Sequence, residues 1–118
     1  MNELQALLDE LRRFNAEREW EWEQFHDPKN LSMLLSSEAG ELLALLRWVP
    51  NTESDAYGGQ PVPRQRLAEE IGDVGIALVL LCDRLKIDLV GAMRDKLEKN
   101  RAKYPVEQAR GRWTSGES

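Results

Sequence analysis

Two stretches decide the fold, "SEAGELLALLRW" at residues 37–48 and "AEEIGDVGIALVLLC" at residues 68–82. Both are apolar over most of their length, yet each contains two acids separated by three positions. This spacing places both acids of a pair on one helix face, within about one turn. An ionised carboxylate taken out of water without a partner is so costly that it protonates, pairs or binds a cation. The embedded acids therefore indicate the function as well as the fold.

Helical periodicity extends from these stretches over most of the chain and predicts four helices and no strand. The boundaries follow from Asp27-Pro28, which is typical of a helix start, and from Pro50, which ends that helix. Residues 50–63 are rich in Pro, Gly, Ser, Asn and Asp, and we expect a mobile loop there. The four predicted helices span approximately residues 4–18, 29–48, 63–86 and 88–104.

Apolar residues cover much of the circumference of the second helix, which fits a helix buried on several sides. Packing it against the third helix and then against a second subunit is the simplest way to bury both. We therefore predict an all-α, four-helix bundle-like fold, completed by dimer or tetramer packing. Residues 1–105 are expected to form a single domain, and residues 106–118 a loosely ordered C-terminal tail.

The composition excludes several functional classes. Sixteen basic and twenty-one acidic residues give a formal net charge of -5, which argues against a nucleic-acid or anionic-membrane surface. The N-terminus lacks the pattern of a signal peptide, and the longest apolar run is shorter than the ~20 residues that span a bilayer. Cys82 is the lone cysteine, so no disulfide can form within the chain. We expect a cytoplasmic protein without nucleic-acid or membrane partners.

The two acid pairs predict a metal site. Glu38 and Glu41 on the second helix and Glu70 and Asp73 on the third would gather four oxygen ligands if these helices form an antiparallel hairpin. Mg²⁺ prefers oxygen ligands and keeps positions for water and substrate phosphates. A di-iron bundle site would need Glu-x-x-His motifs, and the single histidine, His26, lies outside both pairs. Zinc is disfavoured because the chain offers few nitrogen and sulfur ligands.

Either acid pair alone would indicate little, since such pairs are common on exposed helix faces. Their position inside apolar helices makes the metal interpretation stronger. Glycine in a helix interior costs up to about 1 kcal/mol relative to alanine, so glycines beside the acids favour close approach of a backbone or ligand. The flanking glycines are Gly40, Gly72 and Gly75.

The order E-x-x-E, a spacer of residues 42–69, then E-x-x-D resembles the MazG-like nucleoside triphosphate pyrophosphohydrolases, and more narrowly their dCTP pyrophosphatase branch. The resemblance extends from about Leu11 to Pro105. It is carried by "AEREWEWEQFHDPKNL", "SEAGELLALLRW", "LAEEIGDVGIALVLLCDRLKIDL" and "KLEKNRAKYP".

The resemblance implies an all-α dimer or dimer of dimers that uses Mg²⁺ to hydrolyse a nucleotide between its α- and β-phosphates. It also implies roles for eight residues. Four match the metal-binding acids of the family, Glu38, Glu41, Glu70 and Asp73. Two match positions that contact the phosphates and sugar, Lys96 and Asn100. Two match aromatics that enclose the base, Trp22 and Trp48.

The chain departs from the family pattern around the base. Two additional residues in "EREWEWEQ" leave open whether Trp20 or Trp22 faces it. Ala77 stands where the family carries an aromatic residue, and a base-contacting histidine of the first helix is replaced near Arg13. These differences predict a looser base pocket with the metal chemistry retained.

The favoured function is Mg²⁺-dependent hydrolysis of deoxynucleoside triphosphates, dCTP or a modified dCTP first, to the monophosphate and pyrophosphate, as house-cleaning of the nucleotide pool. Glu41 is the candidate to activate the attacking water, and Glu69, adjacent to the second acid pair, is a weaker contender for this base. One alternative is a non-catalytic helical oligomer or nucleotide-binding module, whose acids pair with Arg or Lys across a subunit contact. Another is a related enzyme that acts on dUTP or a phosphoribosyl-nucleotide.

Overall fold

The computed structural model describes residues 2–19 and 26–110. These ranges are helical and contain no strand, so the predicted all-α class is confirmed. In chain order the elements are α1 (Glu3–Glu17), α2 (Pro28–Leu46), a 3-10 turn (Asn51–Glu53), α3 (Ser54–Gly59), α4 (Pro61–Leu85), α5 (Leu89–Lys103) and α6 (Val106–Ala109).

Side-chain caps fix where the helices begin. The Asp27 carboxylate accepts a hydrogen bond from the backbone N–H of Asn30 at 2.8 Å, and Pro28 follows as the first residue of α2. Asp88 caps α5 in the same way, accepting from the N–H of Gly91 at 2.9 Å. Both helix starts predicted from the sequence are thus confirmed.

The prediction of a mobile loop at residues 50–63 is wrong. This segment contains the 3-10 turn and α3, and α4 begins at Pro61 rather than near Pro63. The hydroxyl of Ser54 donates to the carbonyl oxygen of Asn51 at 2.8 Å, which closes the turn, and α3 packs against α4. Ser, Asn and Asp favour loops but also cap short helices, so composition alone could not separate the two outcomes.

The chain forms two compact units, residues 1–86 and residues 87–118. In the first unit α2 packs along α4. The helices are antiparallel: Leu31 near the start of α2 and Leu80 near the end of α4 line one cavity, and acids of both helices meet closer to the loop between them. The second unit contains α5 and α6, the latter within the segment predicted to be a loose tail. That residues 1–105 form a single domain stays a prediction.

Few apolar side chains are fully buried by the chain itself. Among the described residues these are Leu31 and Ala77, with exposed fractions of 1% and 0%. Large apolar side chains remain exposed on α2, α4 and α5, including Leu43 at 63%, Ile71 at 58% and Met93 at 63%. The expectation that α2 is buried on several sides is therefore not met within one chain. Within the described ranges, no helix has the length and apolar character needed to cross a membrane.

Candidate active site

Three carboxylates from two helices meet in the first unit. Glu38 and Glu41 project from α2 and Glu70 from α4, and one oxygen from each lies within 4.8 Å of the other two. The antiparallel packing of α2 and α4 brings these residues together, because the acids of the two helices lie at the same level along the helix pair. We call Glu38, Glu41 and Glu70 the acid cluster.

Two oxygens of the acid cluster are buried without a partner. Within the described residues, the Oε2 atoms of Glu38 and Glu70 are inaccessible and accept no hydrogen bond, and no Arg or Lys forms an ion pair with the cluster. A buried acceptor without a partner normally carries a free-energy penalty. These atoms are therefore suited to a ligand that supplies positive charge.

Electrostatics in the acid cluster favour the protonated acids. Burial, followed by the neighbouring Glu38 and Glu41 carboxylates, raises the pKa of Glu70 to about 7 from 4.5. Burial also raises the pKa of Glu38, and the charges of Glu41 and Asp73 act in the same direction. Carboxylates held together at neutral pH in this way need a cation if all are to stay ionised.

Asp73 is the one predicted metal ligand outside the acid cluster. It lies one turn beyond Glu70 on α4, is exposed, and is not among the acids whose oxygens converge within 4.8 Å. Its charge nevertheless helps to raise the pKa of Glu38, so the carboxylate lies near the cluster. Its role as a metal ligand stays a prediction.

The acid cluster fits a hard divalent cation. All of its donors are carboxylate oxygens, two of them lack any other partner among the described residues, and Glu41 is exposed. Oxygen-only donor sets suit Mg²⁺, Ca²⁺ or Mn²⁺ and are poor for zinc, which prefers nitrogen and sulfur. The glycines that flank the acids face open space. At Gly40, for example, an added Cβ would meet no described atom within 4 Å.

Comparison with known proteins gives the family. The model of the MazG-like family matches residues 35–116, which is more than half of the chain and includes all four predicted acids. The chain belongs to the MazG-like family. The resemblance noted in the sequence is thereby confirmed.

Individual relatives agree with the MazG-like assignment. The chain is 42% identical over 106 residues to dCTP pyrophosphatase 1 of Bos taurus, covering 88% of this chain and 63% of that protein. It is 43% identical over 105 residues to dCTP pyrophosphatase 1 of Homo sapiens, covering 87% and 62%. The chain thus spans less than two thirds of the length of these relatives. A pyrophosphatase crystal structure from Archaeoglobus fulgidus has a TM-score of 0.76 and 36% identity, covering 89% of this chain and 94% of that one.

The structure describes three of the other predicted site residues of this MazG-like chain, Trp48, Lys96 and Asn100. Trp48 follows α2 and is 84% exposed, with the guanidinium of Arg47 centred 5.4 Å from its ring centroid. Lys96 and Asn100 lie in the second unit and line one cavity of about 680 Å³ beside α5. Trp22, and with it the choice between Trp20 and Trp22, lies outside the described residues. The roles of these residues stay predictions.

Sequence reasoning missed the cavity that lies in the first unit, beside the C-terminal half of α4. Asn15 on α1 lines it and is only 6% exposed. A signal was available: Asn15 follows Leu8 and Leu11 at helical spacing, so a polar side chain occupies an apolar-stripe position of an amphipathic helix. Such a residue is expected to have a buried hydrogen-bond partner or a ligand.

Proposed function

We propose that this MazG-like chain is a Mg²⁺-dependent nucleoside triphosphate pyrophosphohydrolase that acts on dCTP or a modified dCTP. It converts the nucleotide to the monophosphate and pyrophosphate and so removes it from the nucleotide pool. The acid cluster carries this proposal, because its two buried oxygens lack partners among the described residues. The names of the curated relatives support the choice of substrate.

The residues of the acid cluster would divide the work. Glu38 and Glu70, with the buried oxygens, would hold the metal together with Asp73. Bound Mg²⁺ would supply Lewis-acid chemistry and offset the charge of the phosphates. Glu41, the exposed member of the cluster, accepts a proton from the attacking water as its oxygen bonds to phosphorus. The bond between the α- and β-phosphates breaks, and pyrophosphate leaves with the bonding electron pair.

Residues outside the acid cluster would bind the nucleotide. Lys96 offsets charge on the leaving pyrophosphate, a role that suits a compact ammonium group, and Asn100 contacts the phosphates or sugar. Trp48, with Trp22, stacks on the base. Such stacking contributes about 1–3 kcal/mol per base in single-stranded nucleic-acid binding and discriminates weakly among bases. The exposure of Trp48 leaves its ring available for this contact.

The proposed enzyme acts as a homodimer or homotetramer. Exposed large apolar side chains on α2, α4 and α5 support this, since exposed apolar surface commonly marks contacts between proteins. A formal charge of -5 is consistent with a protein that uses neither nucleic acid nor a membrane surface. The nucleotide substrate supports a cytoplasmic location.

The direct test is incubation of the folded chain with each deoxynucleoside triphosphate and Mg²⁺, with pyrophosphate release as the readout. We expect dCTP to be among the fastest substrates, and chelation of the metal to stop the reaction. Identification of the monophosphate as the second product would show that the bond between the α- and β-phosphates is the one cleaved. Absence of pyrophosphate from every nucleotide, with folded protein and metal present, would contradict the proposal.

The raised pKa of Glu70 predicts how metal binding depends on pH. Between its ordinary value of 4.5 and about 7, folded Glu70 keeps a proton that the unfolded chain has lost. The contribution of Glu70 to the free energy of unfolding of the metal-free protein therefore falls as pH rises through that window. Mg²⁺ should restore it by binding the ionised form. We expect the Mg²⁺-induced rise in Tm to be larger at about pH 8 than at about pH 5.

Thermal unfolding with and without Mg²⁺ at both pH values measures this difference. Glu70→Gln is the matched control, because it removes the titrating group and preserves the side-chain size. Its Mg²⁺-induced shift should be small at both pH values. An equal shift of the unmodified protein at the two pH values would contradict the electrostatic account of the cluster.

A further inference from the structure

The connection between α4 and α5 is three residues long. α4 ends at Leu85 and α5 begins at Leu89, so residues 86–88 join the two helices. The boundary between the two compact units falls inside this connection, after Lys86. We call residues 86–88 the α4–α5 junction. Because each residue has only two soft dihedral angles, so short a junction leaves few directions in which α5 can continue from α4.

Lys86 gives the junction an uncommon backbone conformation. It is left-handed, with φ 60° and ψ 38°, and among the described non-glycine residues only Glu19 shares a positive φ. The N–H of Lys86 donates to the carbonyl oxygens of Cys82 and Asp83, the latter at 3.2 Å. Helices that end in this way usually have glycine here, because a Cβ disfavours the left-handed region. The lysine therefore keeps a conformational restriction that glycine would release.

Asp88 holds the other end of the junction. Its carboxylate accepts the N–H of Gly91 at 2.9 Å and so caps α5. An added Cβ at Gly91 would lie 2.7 Å from Oδ2 of Asp88, so the carboxylate packs directly over the glycine. Each end of the junction is thus hydrogen-bonded to the helix that it adjoins. Ile87 is the single residue between these two caps.

A change at the junction is amplified along α5. Lys96 lies eight residues beyond Asp88, which is roughly 12 Å along the helix axis. A change of about 10° in the direction of α5 would therefore move Lys96 by roughly 2 Å. A misplacement of about 1 Å can lower a reaction rate by about a hundredfold. Small freedom at the junction is enough to affect any reaction in which Lys96 takes part.

We propose that the α4–α5 junction is a positioning element, in which the left-handed backbone of Lys86 and the Asp88 cap hold α5 in the direction that presents Lys96 and Asn100 to the nucleotide phosphates. The inference rests on the proposed function and adds two positioning residues to it. Lys86 acts through its backbone conformation rather than its charge, and Asp88 acts through the cap. A non-glycine residue in left-handed backbone lowers local stability, but it narrows the directions open to α5.

Lys86→Gly tests this proposal, because stability and turnover should change differently. We expect the Tm to stay equal or to rise, since glycine adopts the left-handed backbone without steric cost. We expect kcat to fall by about tenfold, since Lys96 is then held less precisely at the leaving pyrophosphate. Lys86→Asn is the matched control: it also removes the positive charge, yet Asn is a non-glycine residue that tolerates the left-handed region. Its kcat should stay near that of the unmodified chain.

Two results for Lys86 overturn the inference. One is an unchanged kcat in Lys86→Gly. The other is an equal loss in Lys86→Asn, which would assign the effect to the charge of the lysine. A residue that only stabilises the fold would not combine an equal or higher Tm with lower turnover.

Asp88→Ala is a second variant, which removes the cap of α5, and Asp88→Asn restores an acceptor. We expect kcat to fall in Asp88→Ala and to recover in Asp88→Asn, and failure of this recovery contradicts the role of the cap. The Mg²⁺-induced rise in Tm should be the same in every variant, because the acid cluster belongs to the first unit. A smaller rise would place the damage at the metal site and overturn the assignment to α5.

Residual dipolar couplings of the backbone amides, measured by NMR without nucleotide, separate this inference from the proposed function. One alignment tensor for α4 and α5 in the unmodified chain, and poorer agreement in Lys86→Gly, would support a rigid junction even if no triphosphate were hydrolysed. Separate tensors in the unmodified chain would overturn it. Conversely, hydrolysis of dCTP with the same kcat in Lys86→Gly would leave the proposed function standing and contradict the positioning role.

Discussion

Replacement of Glu70 by Gln should lower Mg²⁺-dependent pyrophosphate release by about a hundredfold or more, the scale seen when a preorganised electrostatic contact is removed from an active site. Glu70 supplies one of the two buried oxygens without a partner among the described residues. Gln keeps the shape of the side chain but removes the negative charge that would hold the cation. It also directs an N–H group toward acids that would share the metal.

The matched control for this variant is Glu69→Gln, which makes the same chemical change at the adjacent, exposed position of α4. We expect its activity to stay near that of the unmodified protein. The metal-free Glu70→Gln protein should also be more stable than the unmodified protein above pH 7, because the raised pKa of Glu70 reports a cost of ionisation. Full activity of Glu70→Gln would contradict a role of the acid cluster in the reaction.

Leu43→Asp should disrupt the assembly. Leu43 lies on α2 and is 63% exposed in the single chain, so a homo-oligomer that covers α2 would bury it. An unpaired carboxylate inside an apolar contact costs several kcal/mol, equivalent to at least about a thousandfold in the dissociation constant. We expect size-exclusion chromatography with light scattering to show an oligomer for the unmodified chain and a smaller species for the variant.

Leu43→Met is the control for this experiment, since it retains an apolar side chain of similar volume and should leave the mass unchanged. Met93→Asp makes the equivalent change on α5, where Met93 is also 63% exposed. A monomer for the unmodified chain at micromolar concentration would contradict the oligomer. Retention of the full mass by both Asp variants would show that these exposed side chains lie outside any subunit contact.

Local signals in the sequence were sufficient for the principal helices. The starts of α2 and α5 follow from Asp27 and Asp88, because a cap depends on neighbours only three residues away. The region between α2 and α4 could not be predicted in this way. Whether its polar residues form a loop or a short helix depends on contact of α3 with α4, which composition does not encode.

Prediction of the candidate site reached the same limit. Three-residue spacing predicts which acids share a helix face, and three of the four do converge. Spacing does not fix how far α4 is rotated about its axis, and this rotation decides that Glu70 joins the cluster and Asp73 stays exposed. Helical spacing places Asn15 on the apolar stripe of α1, but its burial beside a cavity depends on how α1 packs, which spacing does not give.

The small interior of the single chain has a consequence for its behaviour on dilution. Leu31 and Ala77 are the fully buried apolar residues of the described part, so contacts between copies in the proposed oligomer would add substantially to the hydrophobic free energy of folding. Folding and association would then form one linked equilibrium, governed by mass action. In that case the melting temperature would depend on protein concentration, and the amount synthesised would help to determine how much of the protein is folded.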